Sequence, residues 1–277
     1  MLPLTGVRVI DFTNAVAGPV CAQVLGDLGA EVIKVESPTA RSPRAHGTPL
    51  LSADLPDHPW NRLTSFNELN RSKLGVAFDA GAPAGREAFL RLATVSDVIV
   101  ENFAPRVVGN LGIDYERIRA VRPDIVYCSM PAFGKSGPYR DRISYGPGID
   151  AMSGLSHLTG YEGGPPMKPG NYYCDYNAAL LAAFGILAAL EHRDRTGEGQ
   201  YVEAAMIEGE LQLLGEALLD AQMNGRHGER IGNRDSSIAP HGVYPCRPNP
   251  PAPFPRKEGG VTDGRRLNEA PLPRCAG

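Results

Sequence analysis

The chain has 277 residues, of which 42% are hydrophobic, and its formal net charge at pH 7 is −3. A chain of this size and composition can bury a substantial core and form one large domain or two ordinary ones. Acidic and basic residues are mixed along the chain without a basic run, which excludes a strongly cationic nucleic-acid-binding face.

Neither a membrane span nor a disulfide framework is predicted. The longest apolar run, Ala178–Leu190, is shorter than the roughly twenty residues that a membrane helix needs. No charged-then-apolar leader precedes the first strand, so we expect a cytoplasmic protein without a secretory signal. The five cysteines are odd in number and scattered, so they predict no disulfide framework, and no zinc or other metal site is expected.

Strands and helices alternate through the N-terminal half. Val7–Phe12, Val20–Leu28 and Glu31–Glu36 form a predicted β-α-β unit. The alternation continues with a strand at Leu74–Phe78, a helix at Ala84–Ala93, a strand at Asp97–Asn102, a helix at Tyr115–Val121 and a strand at Ile125–Met130. This order predicts an α/β fold, a Rossmann-like, mainly parallel sheet with helices on both faces. Ligands in such sheets bind at the carboxyl ends of the strands.

The C-terminal half divides into three predicted regions. A helix from Asp175 to about Arg193 and a strand at Gln200–Ala204 complete a large domain over residues 1–205. A long helix at Met206–Met223 and a β-rich start at Asn233–Cys246 form the beginning of a truncated smaller domain, residues 206–247. Residues 248–277 are rich in proline and lack apolar periodicity, so we expect a disordered or aberrant tail. The polar segment Ser37–Pro59 is predicted to be a long loop.

Asp175 is the candidate catalytic residue. It precedes an Ala/Leu-rich helical run, where an acidic side chain accepts hydrogen bonds from free backbone N–H groups and meets the positive end of the helix dipole. A carboxylate held in this way is expected to stay ionised and to point outward, and it can act as a nucleophile. The same position also suits a plain N-cap residue.

Several motifs in a fixed order carry a family resemblance. They are Pro3–Thr13, Ala17-Gly-Pro19, Asp27–Glu36, Asn70-Arg-Ser-Lys73, Ser96–Phe103 and Ser153-Gly154, followed by the segment around Asp175. Together they resemble the family III CoA-transferases, the CaiB/BaiF group, from about Leu4 to Arg247. Beyond that point the resemblance stops, so the family's C-terminal third is expected to be absent.

The resemblance implies both a reaction and a set of site residues. Family members move coenzyme A from an acyl-CoA to a free carboxylic acid through aspartyl anhydride and aspartyl-CoA thioester intermediates, without a tightly bound cofactor. Asp175 matches the nucleophile, and Tyr145 falls where some members place an active-site tyrosine. By matched position, five residues are expected to contact CoA or to line its groove: Ala17, Lys73, Phe78, Asn102 and Phe103. The family's interlocked homodimer is the implied assembly.

Departures from the family pattern leave alternatives open. Val16 and Ser37 stand where some members have a glutamine near the reacting carbonyl and an arginine near a CoA phosphate. Related racemases carry a histidine-aspartate pair at the segment matching Tyr145-Gly146, where this chain has no histidine, so acyl-CoA racemisation is the second choice. An inactive, incomplete subunit is a third. A dinucleotide-dependent oxidoreductase is disfavoured because no G-x-G-x-x-G motif follows the first strand.

Overall fold

A six-stranded parallel sheet forms the centre of the computed structural model, which describes residues 1–37, 64–170 and 173–244. The strands are β1 (Arg8–Phe12), β2 (Glu31–Glu36), β3 (Lys73–Ala77), β4 (Val98–Glu101), β5 (Val126–Ser129) and β6 (Tyr201–Glu203). Their order is β3-β2-β1-β4-β5-β6, and every neighbouring pair is parallel. The predicted parallel α/β fold is confirmed. The strand order reverses between β1 and β4, which is where ligands bind in doubly wound sheets.

Helices cover both faces of this sheet. They are α1 (Ala17–Asp27), α2 (Thr64–Leu69), α3 (Pro83–Thr94), α4 (Pro105–Leu111), α5 (Tyr115–Val121), α6 (Gly146–Ser153), α7 (Leu155–Leu158), α8 (Tyr173–Thr196), α9 (Met206–Leu211) and α10 (Gly215–Asn224). Adjacent residues of one strand, such as Val9 and Ile10, pack into two different hydrophobic cores on opposite faces of the sheet. Val9 packs with α1 and α8 on one face, and Ile10 packs with α3 and α5 on the other. Successive strand residues point to opposite faces, so both must be apolar in a sheet that is covered twice.

Helix α8 is a core helix. By length and apolar composition alone, this helix could cross a membrane. Half of its most apolar stretch is, however, buried inside the protein. Ala178, Ala179 and Ala182 are fully buried and pack in the same core as Ala17 and Cys21 of α1. Small side chains on both helices allow their backbones to approach closely. This packing brings the first turn of α8 beside the first turn of α1.

The region after β6 differs from its prediction in two ways. The single helix expected at Met206–Met223 is interrupted by a 3₁₀ turn at Gln212–Leu214, after which α10 begins at Gly215. Leu214 leaves helical geometry, with φ −103° and ψ 15°, and glycine is a poor former of helix interiors. The β-rich start expected from Asn233 is wrong for the part that the structure describes, since positions 233–244 contain turns and no strand.

One compact unit extends from Met1 to Arg234 and a second begins at Asp235. The first unit therefore includes α9 and α10, beyond the boundary predicted at residue 205. In the second unit the Asp235 carboxylate accepts hydrogen bonds from Ser237 and from the N–H of Ile238. The predicted tail 248–277 and the loop predicted at 37–59, apart from Ser37, lie outside the described residues.

Candidate active site

Three helix starts converge on Asp175. Asp175 is the third residue of α8, Ala17 is the first residue of α1, and Gly146 is the first residue of α6. The Ala17 backbone N–H is a hydrogen-bond partner of the Asp175 carboxyl. Each helix start carries unpaired N–H groups and the positive end of a dipole. These helix starts therefore favour negative charge on Asp175 and partly offset the cost of burying it.

One carboxylate oxygen of Asp175 faces Gly146. A β-carbon at position 146 would lie 2.0 Å from Oδ2 of Asp175, so only glycine leaves room for this oxygen. Oδ2 is buried and has no hydrogen-bond partner among the described residues. An oxygen that is held in place but accepts no hydrogen bond is available to react, because no donor has to be displaced first.

The pKa of Asp175 is raised to about 6, mainly by burial and to a smaller extent by the nearby Asp150. Hydrogen bonds from the backbone N–H groups of Ala17 and of Asp175 itself act in the opposite direction. Desolvation penalises the charged form, whereas the amide donors favour it. The carboxyl is thus more basic than an ordinary aspartate and remains mostly ionised at neutral pH.

The prediction that Asp175 points outward is wrong. Its exposed fraction is 5%, because the starts of α1 and α6 close over it. Two cavities of about 310 and 320 Å³ lie elsewhere, one against α7 and α10 and the other beside Arg8 and Glu31. Neither cavity is lined by Asp175. Tyr145, which directly precedes Gly146, has an exposed fraction of 64%.

Asn102 joins the loops that follow β1 and β4. Its Oδ1 accepts a hydrogen bond of 2.8 Å from the N–H of Asn14, and its Nδ2 donates one of 2.8 Å to the carbonyl of Asn14. This reciprocal pair lies where the strand order reverses. It fixes the two loops that border the crevice expected at this point.

The predicted aromatic residues lie at the same edge of the sheet. Phe103 follows β4 and packs against Phe12 at the end of β1, with tilted rings whose centroids are 5.0 Å apart. Phe78 follows β3 and is partly buried against the core that contains Phe12. The structure thus places Ala17, Phe78, Asn102 and Phe103 at the carboxyl ends of the strands. Their contact with CoA stays a prediction.

The Lys73 ammonium serves an internal ion pair. Its Nζ donates to Oδ2 of Asp11 at 2.8 Å, to the carbonyl of Pro19 at 2.9 Å and to Oδ1 of Asn70 at 3.1 Å. An ammonium has three donors, and all three are used. The side chain is 2% exposed. In this structure Lys73 braces the site instead of presenting its charge to a phosphate, and its role in CoA binding stays a prediction.

Four buried acidic residues near the site were not predicted. The Asp11 carboxylate lies between the ammonium groups of Lys34 and Lys73. Glu101 lies at the end of β4. Asp150 and Glu210 lie beside Asp175. For two of these four residues, the sequence contains a feature that indicates a buried charge. Asp11 and Glu101 interrupt the apolar strands Val9–Phe12 and Val98–Glu101, and charged residues are rarely fully buried without a partner. Asp150 and Glu210 lie on two short helices, and the sequence alone does not predict that these helices pack together.

In the described part of the chain, one group of side chains has a geometry that could hold a metal ion. The ligand atoms of Asp150, Cys174 and Glu210 lie within 4.8 Å of one another. Burial, followed by Glu210, Asp175 and Asp150, raises the pKa of the Cys174 thiol. A thiol must lose its proton to bind a metal, so this donor set is a poor cation site.

The sequence model of the CoA-transferase family III matches residues 4–252 of this chain. This range includes all the strands and helices described above. The chain belongs to the CoA-transferase family III. Curated relatives include the succinate–glutarate CoA-transferase of Agrobacterium fabrum, 35% identical over 244 residues, and the succinyl-CoA:glutarate CoA-transferase of Mus musculus, 36% identical over 245 residues. These alignments cover 88% of this chain. The predicted resemblance from Leu4 onward is confirmed.

Solved structures agree with this family and fold. A CAIB/BAIF family protein from Brucella suis superposes with a TM-score of 0.78 at 35% identity, covering 86% of this chain. Rv3272 from M. tuberculosis superposes with a TM-score of 0.71 at 33% identity, covering 80% of this chain. The chain spans 60% and 54% of the two curated relatives and 62% and 60% of these two structures.

Proposed function

We propose that the chain transfers coenzyme A between an acyl-CoA and a free carboxylic acid, with Asp175 as the nucleophile. The single observation that carries this proposal is the Asp175 carboxylate, held at three helix starts with one oxygen unpartnered. Membership of the CoA-transferase family III supports the reaction class. No other described carboxylate combines this position with a free oxygen directed at a glycine.

The first half-reaction moves CoA onto the protein. Oδ2 of Asp175 attacks the thioester carbonyl, the C–S bond breaks, and CoA leaves as its thiolate, giving an aspartyl acyl anhydride. The thiolate then attacks the Asp175 carbonyl carbon, and the donor leaves as a free carboxylate. Asp175 now carries CoA as a thioester. Helix N-termini at Ala17 and Gly146 stabilise the oxyanions that form during these attacks.

The second half-reaction returns Asp175 to its carboxylate. The acceptor carboxylate attacks the aspartyl thioester carbonyl, and the CoA thiolate leaves again. That thiolate attacks the acceptor's carbonyl in the new anhydride, which releases the acceptor acyl-CoA and the Asp175 carboxylate. Every bond broken is matched by one formed, so the proposed cycle needs no oxidant or reductant.

The names of the relatives suggest the substrates. Succinate and glutarate, or their CoA thioesters, occur in the names of the bacterial and mouse relatives, and D-citramalate occurs in that of a Chloroflexus aurantiacus relative. All three acids are short dicarboxylic acids. We therefore propose a short dicarboxylic acid as the acceptor. CoA would lie across the strand ends over Phe78, Asn102 and Phe103, with the acyl group between Ala17 and Tyr145.

An exposed apolar stripe on α8 supports a dimer. Tyr173, Tyr176, Leu180 and Phe184 lie on one side of this helix and are 39% to 72% exposed. Apolar surface of this kind is usually covered by another polypeptide. We propose that a second copy covers it. A Leu180→Glu, Phe184→Glu variant should then be monomeric by light scattering, whereas an unchanged mass would contradict the proposal. The cytoplasmic location remains a proposal from sequence.

Exchange of isotope tests the reaction. The protein is mixed with succinyl-CoA and ¹⁴C-glutarate, and label entering the CoA thioester is measured. Transfer should be abolished in Asp175→Asn and retained in Asp194→Asn, a change near the far end of the same helix. Transfer that persists in Asp175→Asn would contradict the assignment. Solvent deuterium entering the α-carbon of an acyl-CoA without an acceptor acid would indicate racemisation instead.

A further inference from the structure

Two carboxyl groups next to Asp175 are completely buried. Asp150 on α6 and Glu210 on α9 have no exposed surface. Helices α6, α8 and α9 pack against one another, so these two side chains meet beside the first turn of α8. Their carboxylate oxygens lie within 4.8 Å of each other and of the Cys174 sulfur.

No cation accompanies this pair in the described part of the chain. All four carboxylate oxygens of Asp150 and Glu210 lack a hydrogen-bond partner there. The nearby Ser153 hydroxyl donates to the backbone carbonyl of Asp150 at 3.2 Å. Two ionised carboxylates buried side by side would repel each other and lose their hydration. A single proton between them removes one charge and supplies the missing hydrogen bond.

Glu210 is the member that keeps the proton. Burial, and then the proximity of Asp150, raise the pKa of Glu210 to about 8, with the Ser153 hydroxyl opposing and the charge of Asp175 adding to the rise. A proton on Glu210 makes Glu210 the hydrogen-bond donor and Asp150 the acceptor. Asp150 in turn is the charged group that disfavours the carboxylate of Asp175.

We propose that Asp150 and Glu210 share one proton and act as positioning residues that make the Asp175 carboxylate more reactive. This inference rests on the proposed function of Asp175. A negative charge held nearby destabilises the Asp175 carboxylate. Acylation of Asp175 removes its charge and relieves that repulsion, so the pair favours the covalent intermediates over the free carboxylate.

Among the residues that the structure describes, the groups that face the pair are acidic or neutral. From α8, Asp175 and Cys174 face it, and from α6, the Ser153 hydroxyl does. The charge of Asp175 makes a second negative charge less favourable, the neutral Cys174 thiol leaves it unpaired, and the Ser153 hydroxyl only partly opposes this. The pair therefore loses its proton only well above the pH at which an exposed glutamate ionises.

The experiment is ¹³C NMR of labelled aspartate and glutamate carboxyl groups, on the full chain, between pH 4 and 9. Resonances are assigned by Glu210→Gln, Asp150→Asn and Asp175→Asn. Glu208→Gln is the matched control, since Glu208 is exposed on the same helix. A protonated glutamate signal at pH 7 should vanish in Glu210→Gln and persist in Glu208→Gln. In Asp150→Asn the titration midpoint of Asp175 should move to lower pH.

Glu210→Gln is predicted to leave the Asp175 midpoint nearly unchanged, because the glutamine amide can still donate to Asp150. An ionised Glu210 at pH 7, measured on the wild-type chain, would overturn the proposal even if a variant failed to fold. An unmoved Asp175 midpoint in a folded Asp150→Asn protein would overturn it too. So would one-to-one binding of zinc that is lost in both variants. These readouts need no turnover, so failure of CoA exchange contradicts only the proposed function.

Discussion

Oδ2 of Asp175 occupies the space that a side chain at Gly146 would fill, since a β-carbon there would lie 2.0 Å from this oxygen. Gly146 also begins α6, so the same residue leaves room for the carboxylate and directs a helix start towards it. The space that this oxygen occupies therefore exists because residue 146 has no side chain.

Gly146→Ala should abolish most CoA transfer. The carboxylate must rotate or α6 must shift, and a displacement of about 1 Å at a reacting group can lower the rate about 100-fold. The cost in the free energy of unfolding should stay within about 1–3 kcal/mol. Gly109→Ala on α4 is the control, because its new β-carbon meets nothing within 4 Å. Equal transfer rates in both variants would argue against the role of Gly146.

The transfer rate should depend on the ionisation of Asp175. Burial and Asp150 raise the pKa of this carboxyl to about 6, and only its charged form attacks a thioester. The value of kcat/KM should therefore rise with pH through about 6 and level off above it. Rates measured from pH 4.5 to 8 with a fixed acyl-CoA test this. A rate that is already constant from pH 4.5 to 6 would be inconsistent with it.

Lys73→Met should destabilise the fold strongly. It would leave Asp11 buried with only Lys34, whose Nζ lies 3.4 Å from Oδ1 of Asp11. Removing one partner of a buried ion pair costs about 3–5 kcal/mol. Arg71→Ala, which breaks the exposed ion pair with Asp27, should cost less than about 1 kcal/mol. Urea unfolding of both variants measures the difference, and similar values would contradict the structural role of Lys73.

Glu101 should make the fold less stable as the pH rises. Burial raises the pKa of Glu101 to about 7, with hydrogen bonds from Ser129 and Phe103 and the charge of Lys135 opposing. The folded state binds this proton more tightly than the unfolded state, in which the pKa is near 4.5. Its contribution is therefore complete below about pH 4.5 and is lost as the pH rises through about 7.

Glu101→Gln tests this dependence. The variant should gain on the order of 3 kcal/mol relative to wild type between pH 4.5 and 8, because its amide never ionises. The comparison is the difference in the free energy of unfolding at the two pH values. Parallel pH profiles for the two proteins would show that Glu101 has the same pKa in the folded and unfolded states, which would contradict the prediction.

Most of the sheet could be predicted from the sequence, because the apolar runs are short and follow one another regularly. Glu31–Glu36 and Tyr115–Val121 have the bounds that the sequence predicts. The interruption before Gly215 was missed because the apolar pattern continues through Leu213 and Leu214. Local propensity does not reveal where one helix stops and the next begins.

The position of the candidate site in the chain could be predicted, but the burial and the contacts of its residues could not. Asp175 was identified from the start of its own helix and from the family motifs. Its burial depends on Ala17 and Gly146, which are distant in sequence, and no local pattern reports such contacts. The buried ion pair of Lys73 could not be predicted for the same reason, since its partner Asp11 is 62 positions away in the sequence.

Mass spectrometry of Asp175 after incubation with succinyl-CoA tests the central claim most directly. The protein is quenched with acid and digested, and the peptide that contains Asp175 is compared with that of Asp175→Asn. The account predicts a CoA thioester on Asp175 in the wild-type protein, lost when glutarate is added before the quench and absent from the variant. An adduct on another residue, or exchange of label without any adduct on Asp175, would contradict it.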